Sequence, residues 1–209
     1  MALSTYAELQ AAIGAWSFNR TDLPAADLIR LGEARLNRDL RLRVMEAESS
    51  LDLAAGERTA PLPSGFAAPL ALWRLSQDGG RTPVRRAPAA MAVAGAAGRP
   101  QAWAVAGETI VFDRPCAEAE SFVLRWLKGV ALGDAEPENW LLARHPDAYL
   151  AAALVEAALW AADDEQAARW QARYQAAIDT INHREARSRE APLATDLPDG
   201  VGATSSGDD

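Results

Sequence analysis

The sequence predicts an α+β fold: a mainly helical scaffold with an inserted small β-rich subdomain and an extended C-terminal arm. Three observations predict it. Residues 137–181 hold the longest helical patterns in the chain and three of its seven tryptophans. Between about 50 and 132, short runs of alternating or apolar residues are punctuated by turn signals. After Arg187, neither a helical nor a strand period remains. The scaffold is therefore placed at 1–48 and 133–187, the insertion at 49–132 and the arm at 188–209.

Each element has a local cause. Thr5 and Glu8 stand at capping-box spacing, and Leu9, Ile13 and Trp16 follow on one helical face, predicting a first helix over 6–16. Leu23-Pro24 opens a second, since proline is tolerated in a first turn. Its stripe of Ile29, Leu36 and Leu40 is widened early by Leu28 and Leu31. Extended at helical spacing, however, Leu28 and Leu31 lead to Arg35 and Arg38. Phosphate contacts would use such arginines. A solvated or intersubunit face formed by Arg30, Glu33, Arg35, Arg38 and Asp39 is the simpler expectation.

In the insertion, Leu51 to Leu53 alternates, and the segment from Ala60 to Phe66 is turn-rich. Residues 70–76 read as a strand, and Asp78-Gly79-Gly80 as a hairpin turn, because these residues tolerate positive φ. Residues 82–86 would return, with Pro83 confining them to an edge. Residues 89–96 are expected to form a short helix. A second hairpin joins 101–106 to 108–112 around Gly107. Residues 121–130 alternate with apolar groups on both sides, as a strand covered on both faces does.

Asn139 to Leu142 predicts a single turn. A helix then runs from Pro146 through Leu150 and Leu154 to about 161. Asp163 caps the next, with Gln166 completing the box, and Trp170, Tyr174, Ile178 and Ile181 follow at spacings of three and four. The pair is antiparallel or strongly bent, and its alanines allow close approach.

Charge bounds the function. The formal net charge is −8, and residues 190–209, with five carboxylates and no basic residue, supply −5 of it. A body near −3 argues against a general nucleic-acid-binding surface. Cys116 is the only cysteine and cannot form an intrachain disulfide. No signal-peptide pattern opens the sequence, and no apolar run approaches the roughly 18 residues of a membrane span. A soluble protein made in the cytosol, with no membrane partner, is expected.

Candidate chemistry is sparse. His145 reads as a turn residue before Pro146, and His183 suits a helix C-terminus. No metal-ligand spacing, phosphate loop or nucleophile elbow is present. Asp163-Asp164-Glu165 is explained better as a cap than as a cation site. No catalytic residue, cofactor or metal is expected. In the arm, ordering about 20 residues costs roughly 1–2 kcal/mol each. Burying Leu193, Leu197 and Val201 returns only about 1.5–3 kcal/mol apiece. An ordered arm therefore needs contacts from a partner.

Four segments in order carry a resemblance: Ile29-Arg30-Leu31-Gly32-Glu33-Ala34-Arg35-Leu36-Asn37-Arg38-Asp39-Leu40-Arg41; Leu62-Pro63-Ser64-Gly65-Phe66; Pro137-Glu138-Asn139-Trp140-Leu141-Leu142 with Tyr149-Leu150; and Asp163-Asp164-Glu165 with Trp170 and Tyr174. Over about 5–181 the chain resembles tailed-phage head–tail adaptor (connector) proteins, including their gene-transfer-agent relatives. The resemblance implies a virion structural protein in the neck. There it would form a homo-oligomeric ring, usually of twelve copies, beneath the portal protein and joined to tail or stopper proteins. DNA would pass through its channel without specific recognition. Helices would form the wall and the insertion would face outward or toward the tail. An arm would dock on the portal, here through Leu193, Leu197, Val201, Asp208 and Asp209. Other readings are a tail-completion or stopper protein, a tail-associated cell-wall hydrolase, and a cytosolic helical binding module.

Overall fold

The helix at Pro146–Trp160 is apolar around almost its whole circumference, and the remaining helices are laid against it. A helix of this composition has no solvent face of its own and is stable only when surrounded. In the computed structural model, which describes residues 3–20, 22–91 and 93–190, it is the fourth of five: α1 Tyr6–Trp16, α2 Ala25–Asp39, α3 Trp140–Arg144, α4 Pro146–Trp160 and α5 Asp164–Glu190. Alanines at 148, 151, 152, 153, 157 and 158 are buried and let neighbours approach. The approach is close at Gly32 of α2, where a Cβ would stand 3.0 Å from the Ala153 nitrogen and 3.2 Å from the Ala152 carbonyl carbon. Only glycine leaves room there for the backbone of α4.

The strands are β1 Glu46–Leu53, β2 Thr59–Pro61, β3 Phe66–Leu75, β4 Arg81–Pro83, β5 Arg85–Arg86, β6 Ala102–Ala106, β7 Thr109–Phe112 and β8 Glu120–Lys128. They form two four-stranded sheets, ordered β1-β8-β3-β4 and β2-β7-β6-β5. Between the sheets lies a core containing Trp103, Phe112, Phe122, Leu124 and Trp126. Leu127, Val130 and Leu132 belong instead to the helical core, so β8 is covered on both sides as its two-sided pattern predicts. An α+β fold is what results.

Both N-caps form, but Gln166 does not complete the box at Asp163, whose amide bonds to the Ala158 carbonyl instead. Thr5 and Glu8 complete a capping box on α1, and the Asp163 carboxylate accepts the Gln166 amide at 3.0 Å at the start of α5. The hairpin of β6 and β7 turns at Gly107, whose φ of +60° suits glycine.

Three further expectations are corrected. Residues 89–96 contain no helix among the described residues. Ala89, Ala90 and Val93 are exposed, so a helix here would bury nothing, and the Ala94 amide bonds to the Asp113 carbonyl instead. The return strand expected over 82–86 is divided: β4 pairs with β3, while β5 runs parallel to β6 in the other sheet. Val84 makes the crossing, its side chain buried and its carbonyl accepting the Trp103 indole N–H at 3.0 Å. Finally, Trp16 shares a helical face with Leu9 and Ile13 by spacing, yet 54% of it is exposed. It lies in the last turn of α1, beyond the neighbours that cover the other two.

Candidate assembly surface

The charged residues of α2 divide between two faces. On the inner face, Glu33 is only 6% exposed. Its Oε1 accepts the Leu132 amide at 2.6 Å and the Tyr149 hydroxyl at 2.5 Å. Burial raises the Glu33 pKa above the ordinary carboxylate value, and the two hydrogen bonds oppose that rise. The Tyr149 hydroxyl is pushed far up, first by burial and then by the Glu33 charge. Asn37 clamps the same segment, donating to the Val130 carbonyl at 2.9 Å and accepting its amide at 2.7 Å.

Arg35 also turns inward. Its guanidinium meets Glu156 of α4 at 2.5 Å, donates to Gln171 of α5 at 3.0 Å, and lies 5.7 Å from the Tyr174 ring centroid. The Tyr174 hydroxyl donates to Asp39 at 2.6 Å, and burial, then this bond, raises its pKa. Glu33, Arg35 and Asp39 are thus engaged inside the chain, binding α2 to α4, α5 and the segment after β8. Arg35 is paired with Glu156 rather than with Glu33 or Asp39. This polar seam holds the scaffold rigid; side chains of this kind have no freedom to recruit a ligand.

The outer face of α2 is different. Asp27, Leu31, Ala34 and Arg38 recur at helical spacing and all are exposed, with Arg30 beside them paired to Asp27 at 3.1 Å. Leu31 is 53% exposed. The stripe that led from Leu31 to Arg38 in the sequence is therefore a second helical face, directed away from the core.

At one corner of the scaffold, the end of α1 meets the turn between α4 and α5. Trp16, Phe18 and Trp160 are exposed here, Phe18 to 79%. Trp16 meets Trp170 edge-on at 5.6 Å, and the Arg20 guanidinium lies 5.0 Å from the Trp160 ring centroid. Between them is a cleft of about 190 Å³, lined by Trp16, Phe18, Leu23, Leu154, Ala158 and Trp170 among others. The non-glycine residues with positive φ among those described are Phe18, Asn19 and Ala162, and all three sit in the two turns that frame this corner. Asparagine tolerates that conformation; phenylalanine and alanine adopt it rarely. Ala162 occupies the left-handed position of a Schellman turn, with the Asp163 amide bonding to Ala158 and the Ala162 amide to Leu159.

This corner was not legible in the sequence, where Trp16 falls on the helical face of Leu9 and Ile13. Nor was the seam, since Glu33 and Tyr149 are 116 positions apart and Arg35 and Glu156 are 121 apart. Of the residues expected to dock a partner, Leu193, Leu197, Val201, Asp208 and Asp209 lie outside the described residues. Of the chemistry-bearing groups, the Asp163 carboxylate serves the α5 cap. Cys116 is fully buried, and burial raises its thiol pKa above the ordinary value. Burial likewise lowers the His145 pKa. Among the described residues, no helix is long and apolar enough to cross a membrane.

The scaffold thus presents exposed aromatic and mixed apolar–charged faces. The family model described as SU10 adaptor protein matches residues 4–196, which takes in all five helices and both sheets. No curated protein matches the chain. With the match spanning nearly its whole length, the chain belongs to the SU10 adaptor family, a family of phage structural adaptor proteins.

Proposed function

We propose that this virion component forms a homo-oligomeric ring, of twelve copies, in the neck of a tailed particle. There it joins the portal protein to tail or stopper proteins and extends the channel through which DNA leaves. The role is structural rather than catalytic, and DNA passes without specific recognition. The observation that carries this reading is the family match across residues 4–196, an adaptor family by its description.

The physical features of the chain suit the role. The interlocked seam of α2, α4 and α5 makes a stiff unit, as a load-bearing wall requires. Nineteen residues follow Glu190. Such an arm, acidic and carrying Leu193, Leu197 and Val201, docks on the portal. One arm binds weakly, because its ordering entropy is large. Many arms displayed by one ring bind firmly, since each later contact is intramolecular.

Removal of residues 190–209 tests this. The truncated protein is expected to keep its thermal transition and to lose retention on portal rings by tenfold or more. Undiminished retention would contradict an arm-mediated dock.

A further inference from the structure

We infer that the aromatic corner of one copy receives the outer face of α2 from the next copy, with Leu31 seated in the cleft between Trp16, Phe18 and Trp170. The inference rests on the multi-copy reading above and specifies which surfaces meet.

The first support is shape. The cleft holds about 190 Å³, and an apolar cavity of about 150 Å³ accommodates a benzene molecule, so one aliphatic side chain fits. Leu31 is 53% exposed and stands on a regular helix, flanked by the small Ala34. It is a rigid apolar projection of the size required. The lining of the cleft and the α2 outer face share no residue, so one copy can use both at once.

The second support is charge. Around the corner, Asp22, Asp163, Asp164 and Glu165 outnumber Arg20, Arg169 and Arg173. Along the α2 outer face, Arg30 and Arg38 outnumber Asp27. Seating Leu31 therefore brings a net acidic rim against a net basic helix face. Like-on-like pairing of two corners, or of two α2 faces, would oppose equal charges and is disfavoured.

The third is area. Aromatic side chains offer about 150–250 Å² each, so the exposed parts of Trp16, Phe18 and Trp160 together present on the order of 400 Å². A standard interface buries about 800 Å² per partner. The corner is thus the apolar centre of an interface and needs a flanking polar rim, which the facing charges supply. A contact between two different surfaces of one chain is head-to-tail, the geometry that generates rings when the rotation closes.

Cysteine pairs read this contact directly, in particles assembled with the protein. Cys116 is fully buried and contributes no competing thiol. Under mild oxidation the double variant Phe18→Cys with Leu31→Cys is expected to give a ladder of covalent multimers. A mixture of the two single variants is expected to stop at dimers, and each single variant alone to stay monomeric. A second pair, Trp160→Cys with Ala34→Cys, repeats the test if the first hinders assembly. Dimers from either single variant alone would overturn the inference by showing like-on-like contact. An incorporated double variant without a ladder, for both pairs, would overturn it too, while leaving the adaptor reading standing. Absence of the parent protein from particles would instead overturn the adaptor reading itself.

Discussion

In the β-rich insertion, arginines are paired close to home. Arg74 meets Glu120, Arg81 meets Glu48, Arg125 meets Glu46 and Arg114 meets Asp113, each partner lying within the same two sheets and their loops. In the helical scaffold, the pairs of α2 reach across the chain to α4 and α5, and exposed apolar groups gather at one corner. Arg74–Glu120 is as buried as Arg35–Glu156, but the exposed Arg81–Glu48 pair can change with little effect on anything else. The scaffold's long-range pairs cannot, because they fix helix against helix. The difference sets long-range pairs in the scaffold against local ones in the β-rich part, which β8 ties to the helical core through Leu127.

The largest effect that would break this contrast is at Arg35. Arg35→Ala leaves Glu156 largely buried without a cation and removes the hydrogen bond to Gln171 of α5. Breaking a fully buried pair costs about 3–5 kcal/mol, and partial solvent access here reduces that to roughly 2–3 kcal/mol. Chemical denaturation of Arg35→Ala should show this loss, whereas Arg81→Ala in the insertion should leave the midpoint almost unchanged. Equal losses would erase the distinction.

Gly32→Ala comes next. Alanine gains about 1 kcal/mol of helix propensity over glycine. Its Cβ, however, meets backbone atoms of Ala152 and Ala153, which cannot move aside as a flexible side chain would. Overpacking of that kind costs about 1–3 kcal/mol, so a net loss of stability is expected. Gly32→Val should lose more. A stabilised Gly32→Ala protein would show that α2 and α4 are not locked at this point.

A smaller effect sharpens the seam by pH. The folded-state pKa of Glu33 is raised, chiefly by burial. A carboxyl with a raised pKa contributes stability that is fully present below the unfolded value of about 4.3. That contribution is lost as pH rises through the folded value. Glu33→Gln keeps an acceptor for Tyr149 and Leu132 without the charge. Its melting temperature should match the parent's near pH 4 and exceed it increasingly toward pH 7. A gap independent of pH would mean that Glu33 titrates as an exposed carboxylate does.

Smallest of all is Ala162→Gly. Glycine suits the left-handed position that closes α4, so a gain of about 0.5–1 kcal/mol is expected. A loss would show that the corner depends on the alanine methyl group.

Much of the fold could be read from the chain because its causes are local. Thr5 and Glu8, Asp163 and Gln166, and the turn at Gly107 act within a few residues, so the sequence displays them directly. The division of residues 82–86 between two sheets depends on where Val84 finds a core. No local pattern carries that. The expected helix over 89–96 failed for the complementary reason: its residues permit a helix, but nothing is present for one to cover. The candidate site was the least legible. Arg35 and Glu33 looked like surface charges because their partners, Glu156 and Tyr149, come from the far end of the chain. Phe18 and Trp160 are joined at one corner only after α1 and the α4–α5 turn have been brought together. Of the arm expected over 188–209, residues 188–190 belong to α5, and those from 191 onward lie outside the described part of the molecule.

The central claim is that this chain is a structural adaptor which assembles in many copies on a portal. Native mass measurement, of the protein alone and then mixed with portal rings, tests it most directly. The account predicts monomer alone and, with portal, a single complex carrying a fixed number of copies close to that of the portal subunits. A mixture in which the portal mass is unchanged and the protein remains monomeric would contradict it.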